Sequence, residues 1–263
     1  WRKVIVSSRQ ERRRAERDSK KSGNKQEHQI KLSSLQPWSV PVIHTSLPPE
    51  ILEAMIEISD NVIANKESIN HGKYLAGQID TELRIPHEML VDAGIMNFFH
   101  EVCVHYIKTA KSQQYPQSID LVHAEKYFVQ MLTMWVVSQQ PNEYNPIHIH
   151  TECQLSCVMY LKVPKFEPSK KSHRNNDDGS ITFISNASTD NEFTSPTLTL
   201  RPSAGDFFIF SAKQLHTVYP YRCTKGDPER RSVSFNAIFE TETMRKNRSK
   251  EKQNVLSHPV QPN

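Results

Sequence analysis

Residues 145–163 read NPIHIHTECQLSCVMYLKV, a histidine pair followed by a run with the composition of a β-strand. His148 and His150 are two residues apart, so on an extended chain their side chains point the same way. Two imidazoles side by side at the end of a strand can hold one divalent metal ion. This stretch therefore predicts both a β-strand and part of a metal site.

Segments of the same strand-like composition lie on both sides of this stretch. They are rich in aromatic and β-branched residues, are separated by Pro, Gly, Asn and Asp turns, and read YFVQMLTMWVVS (127–138), GSITFIS (179–185), TLTLRP (197–202), GDFFIFS (205–211) and RSVSFNAIF (231–239). Two helical patterns precede them, at 47–66 and at 87–110, with a short edge strand expected within 72–85. The order predicts a mainly β fold, a double-stranded β-helix or jelly-roll with N-terminal supporting helices.

Charge and composition divide the chain into a domain and two tails. Residues 1–28 hold ten basic and four acidic residues, an excess of +6 against a net charge of +4 for the whole chain, so the remainder carries −2. A hydrophobic content of 37% also suggests unstructured segments. We expect a basic disordered tail or linker at 1–34, and a domain at 35–243 with a helical lead-in (35–115) and a jelly-roll core (120–240). A disordered C-terminal tail is expected at 244–263. The basic tail could also make weak contact with nucleic acid or an acidic partner.

The sequence lacks the signals of a membrane protein or of a disulfide framework. No stretch approaches the roughly 18 consecutive apolar residues of a membrane span. The four cysteines (Cys103, Cys153, Cys157 and Cys223) form no CxxC pair and are expected to act as small core residues in a reducing compartment. These features predict a cytoplasmic protein.

A third metal ligand is expected in the run GDFFIFSAKQLHTVYP (205–220). There an apolar strand ends, a short turn follows, and His216 comes just before Thr217 and Val218. A lone histidine in a loop is usually only solvated. Its place after a strand, downstream of the His148–His150 pair, predicts that it completes the metal site.

Arg230 stands at the start of a strand whose faces alternate. Arg230, Ser232, Ser234 and Asn236 share one face, while Arg231, Val233 and Phe235 share the other. A guanidinium on an inward face needs an anion, because an unpaired buried charge is costly. A dicarboxylate such as 2-oxoglutarate would supply that anion, with Arg230 pairing to its distal carboxylate and Ser232 adding a hydrogen bond. An internal salt bridge or an exposed edge strand is the alternative.

From about Trp135 to Phe239, the ordered combination of these motifs resembles the 2-oxoglutarate/Fe(II)-dependent oxygenases. The chain looks closest to the uncharacterised oxygenases of phage and marine microbial sequences, and more distantly like prolyl hydroxylases. The resemblance implies Fe(II) held by His148, His150 and His216, and 2-oxoglutarate held by Arg230 and by Tyr160, which matches a tyrosine that in prolyl hydroxylases reaches the cosubstrate carboxylate.

His150 departs from the family pattern, because most relatives have Asp or Glu at its position. The usual facial triad has two histidines and one carboxylate. A three-histidine site would leave one more positive charge at the metal. A shifted register, in which Glu152 replaces His148 beside His150 and His216, would restore a carboxylate. We prefer the three histidines, since the motif then continues in register to Ser156 and Tyr160, and keep the shifted register open.

The resemblance implies a dioxygenase that couples oxidative decarboxylation of 2-oxoglutarate to hydroxylation of a small-molecule or peptide substrate by O₂. Its specificity is expected in loops over the barrel mouth, at residues 66–85 and 164–195. Two alternatives are a cupin-like metalloprotein that does not use 2-oxoglutarate and a non-catalytic β-sandwich binding module. Arg230 would be unexplained in the cupin.

Overall fold

The computed structural model describes residues 40–168, 176–185, 194–223 and 225–257. The basic tail expected at 1–34 and much of the expected loop at 164–195 lie outside these ranges, so those expectations stay predictions. Within the described residues, no helix combines the length and apolar content that a membrane crossing requires.

In the described part of the chain, ten strands form two antiparallel sheets. They are β1 (Ile43–Ser46), β2 (Thr81–Ile85), β3 (Tyr127–Gln139), β4 (Asn145–His148), β5 (Leu155–Lys162), β6 (Ile181–Ile184), β7 (Thr197–Leu200), β8 (Asp206–Ser211), β9 (Leu215–Val218) and β10 (Arg230–Thr241). The larger sheet has the order β1-β8-β5-β10-β3-β2, and the smaller has the order β4-β9-β6-β7. The prediction of a mainly β fold with flanking helices is confirmed.

The chain passes repeatedly between the two sheets. From β3 to β6 successive strands lie in alternate sheets, β7 stays beside β6, and β8 to β10 alternate again. This connectivity of eight strands in two sheets is that of a jelly-roll. It brings β4 and β9, which are far apart in sequence, side by side in the smaller sheet.

Helix α1 (Pro49–Ala64) supports the outer face of the larger sheet. Proline at its first turn needs no backbone hydrogen-bond donor there, and Glu50 adds a favourable negative charge at the N-terminus. Its buried residues recur at helical spacing and include Ile51, Met55, Ile58 and Val62. The helix ends at Ala64, as the pattern at 47–66 predicted to within two residues.

The second predicted helix, at 87–110, is wrong as one continuous element. The structure has α2 (His87–Asp92) and α3 (Met96–Gln114) in its place. Gly94 separates them with a φ of 69°, a left-handed conformation that ends a helix and that glycine adopts at little cost. The short helix α4 (Ile119–Ala124) then leads into β3, while one-turn 3₁₀ helices lie at Gly72–Tyr74 and Pro116–Ser118.

Part of the tail expected at 244–263 is helical in the structure, while residues 258–263 lie outside the described ranges. Helix α5 (Glu242–Ser257) follows β10 directly. It is held by local charged contacts: Arg248 pairs with Glu240, and the Arg245 guanidinium carbon lies 3.6 Å from the centroid of the Phe128 ring. Composition alone suggested a solvated tail, because it does not show which charges meet.

Two apolar clusters lie on opposite faces of the larger sheet. The outer cluster, against the helices, includes Met55, Phe99, Phe207, Val233 and Phe235. The inner cluster, towards the smaller sheet, includes Val158, Tyr160, Ile181, Phe183, Phe208, Phe210 and Val218. Alternation along each strand assigns residues to one cluster or the other. The inner face also carries the polar residues of the candidate site.

Candidate metal and cosubstrate site

Three histidines from the smaller sheet and its edge converge in one place. His148 ends β4 and is the direct cross-strand partner of His216 on β9, while His150 follows just beyond the end of β4. The ring centroids of His148 and His216 are 4.2 Å apart. The centroid of His150 lies 5.3 Å from that of His148 and 5.2 Å from that of His216. One ligand atom from each lies within 4.8 Å of the other two. Small side-chain rotations would let all three bind a single ion at about 2 Å.

Backbone carbonyls fix the orientation of two of these rings. His148 Nδ1 lies 2.7 Å from the Pro146 carbonyl oxygen, and His216 Nδ1 lies 2.9 Å from that of Gln214. A carbonyl only accepts, so each Nδ1 carries the proton and donates it. Each Nε2 is then left with its lone pair. This arrangement is typical of metal-binding histidines, whose second nitrogen is hydrogen-bonded to a neighbouring group.

The cluster favours neutral imidazoles. Burial is the main cause that lowers the pKa of His148, lowers that of His150 to about 4, and lowers that of His216 to about 3. The neighbouring His148 lowers the pKa values of the other two further, because like charges repel. The lowered pKa values favour the unprotonated rings, the form that metal binding requires.

Glu152, the alternative ligand, is not a member of this cluster. It is exposed, although it lines the same cavity, and its backbone is in the left-handed region with a φ of 58°. Among the described residues, only the three histidines form a group of this kind. The geometry therefore favours His148, His150 and His216 over the shifted register.

Arg230 lies at the start of β10, a central strand, and is only 1% exposed. Its guanidinium donates to the Gly179 carbonyl at 2.6 Å and to the Gln139 side-chain oxygen, while its Nε has no hydrogen-bond partner. No carboxylate among the described residues forms an ion pair with it. Both alternatives for Arg230, an internal salt bridge and an exposed edge strand, disagree with these contacts.

Tyr160 and Ser232 lie beside Arg230 on the inner face. They are cross-strand partners between β5 and β10, and both are buried. The Tyr160 hydroxyl has no hydrogen-bond partner, and burial raises its pKa, so it remains a neutral donor. Its ring centroid lies 5.5 Å from the Arg230 guanidinium carbon. The Tyr160 hydroxyl and the Arg230 Nε are both buried and unpaired donors. Together with the positive charge of Arg230, they make a pocket suited to a carboxylate.

One cavity of about 800 Å³ joins the histidine cluster to Arg230. Both sheets contribute to its wall, and so do Tyr74, Leu75 and Ala76 from the 66–85 region expected near the barrel mouth. A metal at the histidines and a dicarboxylate reaching Arg230 would therefore share one space. The residues present fit both groups.

The sequence pattern did not indicate three residues of this region, Gln139, Tyr221 and Glu82. Gln139 and Tyr221 position Arg230: Gln139 accepts from its guanidinium, and the Tyr221 hydroxyl accepts from its backbone N–H at 3.1 Å. The Trp135 ring lies 6.2 Å from that of His150, and Glu82 lines the cavity from the edge strand β2. No local pattern marks these three residues, because their roles come from strand pairing.

Comparisons with known proteins agree with this geometry. Residues 133–236 match the sequence model of the family described as "Putative 2OG-Fe(II) oxygenase". The matched segment runs from β3 to β10 and contains the three histidines, Tyr160, Arg230 and Ser232. A search of curated protein sequences gave no match.

Several solved structures are similar over most of this chain. A prolyl-4-hydroxylase from Pseudomonas putida is 14% identical, with 75% of this chain and 92% of that chain covered and a TM-score of 0.49. The viral collagen prolyl hydroxylase of Paramecium Bursaria Chlorella virus-1 is 14% identical, with 74% of this chain and 94% of that chain covered and a TM-score of 0.41. A prolyl hydroxylase from Trichoplax adhaerens, in complex with a hypoxia inducible factor peptide fragment, is 11% identical. The similarity covers 93% of this chain and 97% of that chain, with a TM-score of 0.46.

The family match and the strand order thus lead to the same assignment. Residues 133–236, which run from within β3 to within β10, are similar to the family of putative 2OG-Fe(II) oxygenases, whose cofactor is Fe(II) and whose cosubstrate is 2-oxoglutarate.

Proposed function

We propose that this protein is a dioxygenase that couples oxidative decarboxylation of 2-oxoglutarate to hydroxylation of a C–H bond in a small-molecule or peptide substrate. The observation that carries the proposal is one cavity holding both the cluster of His148, His150 and His216 and a buried Arg230 with no anionic partner among the described residues. A metal site alone would not need the arginine.

In this proposal the three histidines hold Fe(II), and Arg230 with Tyr160 and Ser232 holds the distal carboxylate of 2-oxoglutarate. Bound iron and cosubstrate supply the oxidising chemistry with O₂, while the protein supplies binding, orientation and a dry pocket. The carbonyls of Pro146 and Gln214 keep the protons of two histidines away from the metal side. The Phe210 ring packs against that of His216 in a T-shaped arrangement, with centroids 4.8 Å apart, and so covers that side of the cluster with an apolar group.

The contacts of Arg230 hold it ready for a carboxylate. Gly179 and Gln139 occupy its two terminal nitrogens and fix the plane of the guanidinium. Each terminal nitrogen keeps a second N–H, and these, with the unpaired Nε and the unpaired Tyr160 hydroxyl, are the donors that remain for an incoming oxygen. Burial lowers the pKa of Arg230 because it disfavours the charged form. A bound carboxylate would offset that cost.

A three-histidine site carries no negative charge of its own. Three neutral imidazoles leave the full charge of the metal uncompensated, whereas the usual triad contributes one carboxylate. We infer that the dianionic cosubstrate neutralises this charge, so that metal and 2-oxoglutarate should each bind more tightly when the other is present.

Conversion of 2-oxoglutarate to succinate, measured with and without O₂ and added Fe(II), tests the proposal. Succinate that appears only with both would support it, and detection of a hydroxylated product would extend it. Retention of metal without any use of 2-oxoglutarate would instead indicate the cupin-like metalloprotein. Neither metal retention nor turnover would indicate the non-catalytic binding module.

We also keep a cytoplasmic location as a proposal. Cys103 and Cys157 are both fully buried and interact with each other, yet both are free thiols. Neighbouring thiols that stay reduced are typical of proteins in a reducing compartment.

A further inference from the structure

The cavity contains a buried carboxylate for which the proposed chemistry has no use. Glu82 lies on β2, at the edge of the larger sheet, and is only 2% exposed. Its Oε2 atom has no hydrogen-bond partner. An unpaired buried carboxylate disfavours folding, so its presence in a cavity wall indicates a function in binding.

Strand register places Glu82 on the same face as the cosubstrate residues. Glu82 pairs with Val137, which pairs with Ser232, which in turn pairs with Tyr160. Residues paired across a sheet point to the same side, so Glu82 faces the cavity. Two strand spacings separate it from Ser232, about 10 Å. Glu82 is therefore at the end of the cavity that a cosubstrate held by Arg230 and Tyr160 would leave free.

The loop before β2 passes close over this carboxylate. A Cβ atom added to Gly77 would lie 3.0 Å from Glu82 Oε1 and 2.7 Å from Asn145 Oδ1. One added to Gly72 would lie 3.1 Å from Glu82 Oε2. Glycine at both positions leaves room for the carboxylate. Although the loop is this near, it does not donate a hydrogen bond to Oε2.

The charges around Glu82 favour a cationic ligand. Glu143 is the charged neighbour that acts on it most, and its repulsion adds to burial in raising the pKa of Glu82 to about 7. Arg84 shares the face of Glu82 but is exposed, and no ion pair between them exists. His71, in the loop above, has its pKa lowered by burial and by Arg84, which favours the neutral ring. None of the described basic groups compensates the negative end of the cavity.

We propose that Glu82 binds a positively charged nitrogen group, a primary amine or a guanidinium, on the substrate of this oxygenase. The inference rests on the proposed function and adds a substrate class to it. The cation would donate hydrogen bonds to the Glu82 carboxylate at one end of the cavity. The rest of the substrate would extend past Trp135, whose ring lies 6.2 Å from that of His150, towards the metal.

The test measures binding rather than turnover. n-Butylguanidinium and the neutral n-butanol are titrated into the anaerobic Fe(II)-loaded protein, with and without 2-oxoglutarate, and the iron-induced relaxation of the probe protons is followed by NMR. We expect the wild-type protein to bind the guanidinium in preference to the alcohol. Glu82→Gln should weaken that binding by at least about 30-fold, which is typical for removing one member of a buried charge pair. Glu57→Gln, an exposed glutamate on α1, is the matched control and should change nothing.

The outcomes separate this inference from the proposed function. Three results would each overturn the role of Glu82. The guanidinium could bind equally well to the wild type and to Glu82→Gln, or the wild type could show no preference for the cation over the alcohol. The third result is a Glu82→Gln chain that does not fold. Calorimetric titration of 2-oxoglutarate should give the same affinity in both proteins. If the wild type does not bind 2-oxoglutarate, the proposed function fails, whereas the probe titration without cosubstrate still decides the role of Glu82.

Discussion

Glu82→Gln should make the protein more resistant to unfolding at alkaline pH than the wild type. Burial, and secondarily Glu143, raise the pKa of Glu82 from 4.5 to about 7. An acid with a raised pKa loses its proton more easily in the unfolded chain than in the fold. The wild type therefore carries a penalty that is absent well below pH 4.5, grows as pH rises, and is complete above about pH 7.

The size of the effect follows from the same shift. At about 1.4 kcal/mol per pKa unit, the rise from 4.5 to about 7 makes the full penalty about 3.5 kcal/mol, of which roughly 2–3 kcal/mol develops between pH 5 and pH 8. Glutamine has nearly the same shape and does not titrate. Any cost of burying its amide is the same at both pH values, so only the pH-dependent part of the difference reports the carboxylate.

Urea unfolding of the metal-free protein at pH 5 and pH 8 provides the measurement. The free energy of unfolding of Glu82→Gln minus that of the wild type should rise by roughly 2–3 kcal/mol between the two pH values. The histidines titrate in both proteins and cancel in this difference. Glu57→Gln, exposed on α1, should show no such rise. A difference that stays constant with pH would mean that Glu82 is solvated or paired, and the reasoning would be refuted.

Three further predictions concern the metal, the cosubstrate and the core. His216→Ala should abolish Fe(II) binding and turnover, whereas His123→Ala, which is not a member of the cluster, should retain both; equal metal affinity in wild type and His216→Ala, measured by calorimetry, would refute the ligand assignment. Arg230→Ala should keep the metal but raise the 2-oxoglutarate concentration for half-maximal succinate release by about 10–100-fold, the size expected from loss of a charged hydrogen bond. Met55→Ala, in the fully buried outer cluster, should lower the free energy of unfolding by about 2–5 kcal/mol, while exposed Met244→Ala should change it little.

Much of the fold could be read from local pattern. Alternation of apolar and polar residues repeats every two positions in a strand, so the inner face of β10, with Arg230 and Ser232, was evident without coordinates. The same applies to the apolar stripe of α1. The break at Gly94 was not evident, because the apolar pattern continues through it and only the backbone conformation shows that the helix ends.

The candidate site, like the fold, could be predicted from the sequence only in part. His148 and His150 are near neighbours in the chain, and their spacing alone made them a candidate pair. Whether His216 joins them depends on the register between β4 and β9, which places His148 directly opposite His216. Register is set by long-range strand pairing and burial, which one segment of sequence does not contain.

The sequence by itself determined which residue types stand on which face of each strand: the metal-binding imidazoles, the inward guanidinium and the apolar rows around them. Only the tertiary structure decided that Arg230 has no acidic partner among the described residues, that Gln139 and Gly179 orient it, and that Glu82 is buried at the sheet edge. The physical reason is that side-chain direction follows from local backbone geometry, whereas burial and pairing of a charge depend on segments that meet only after the chain has folded.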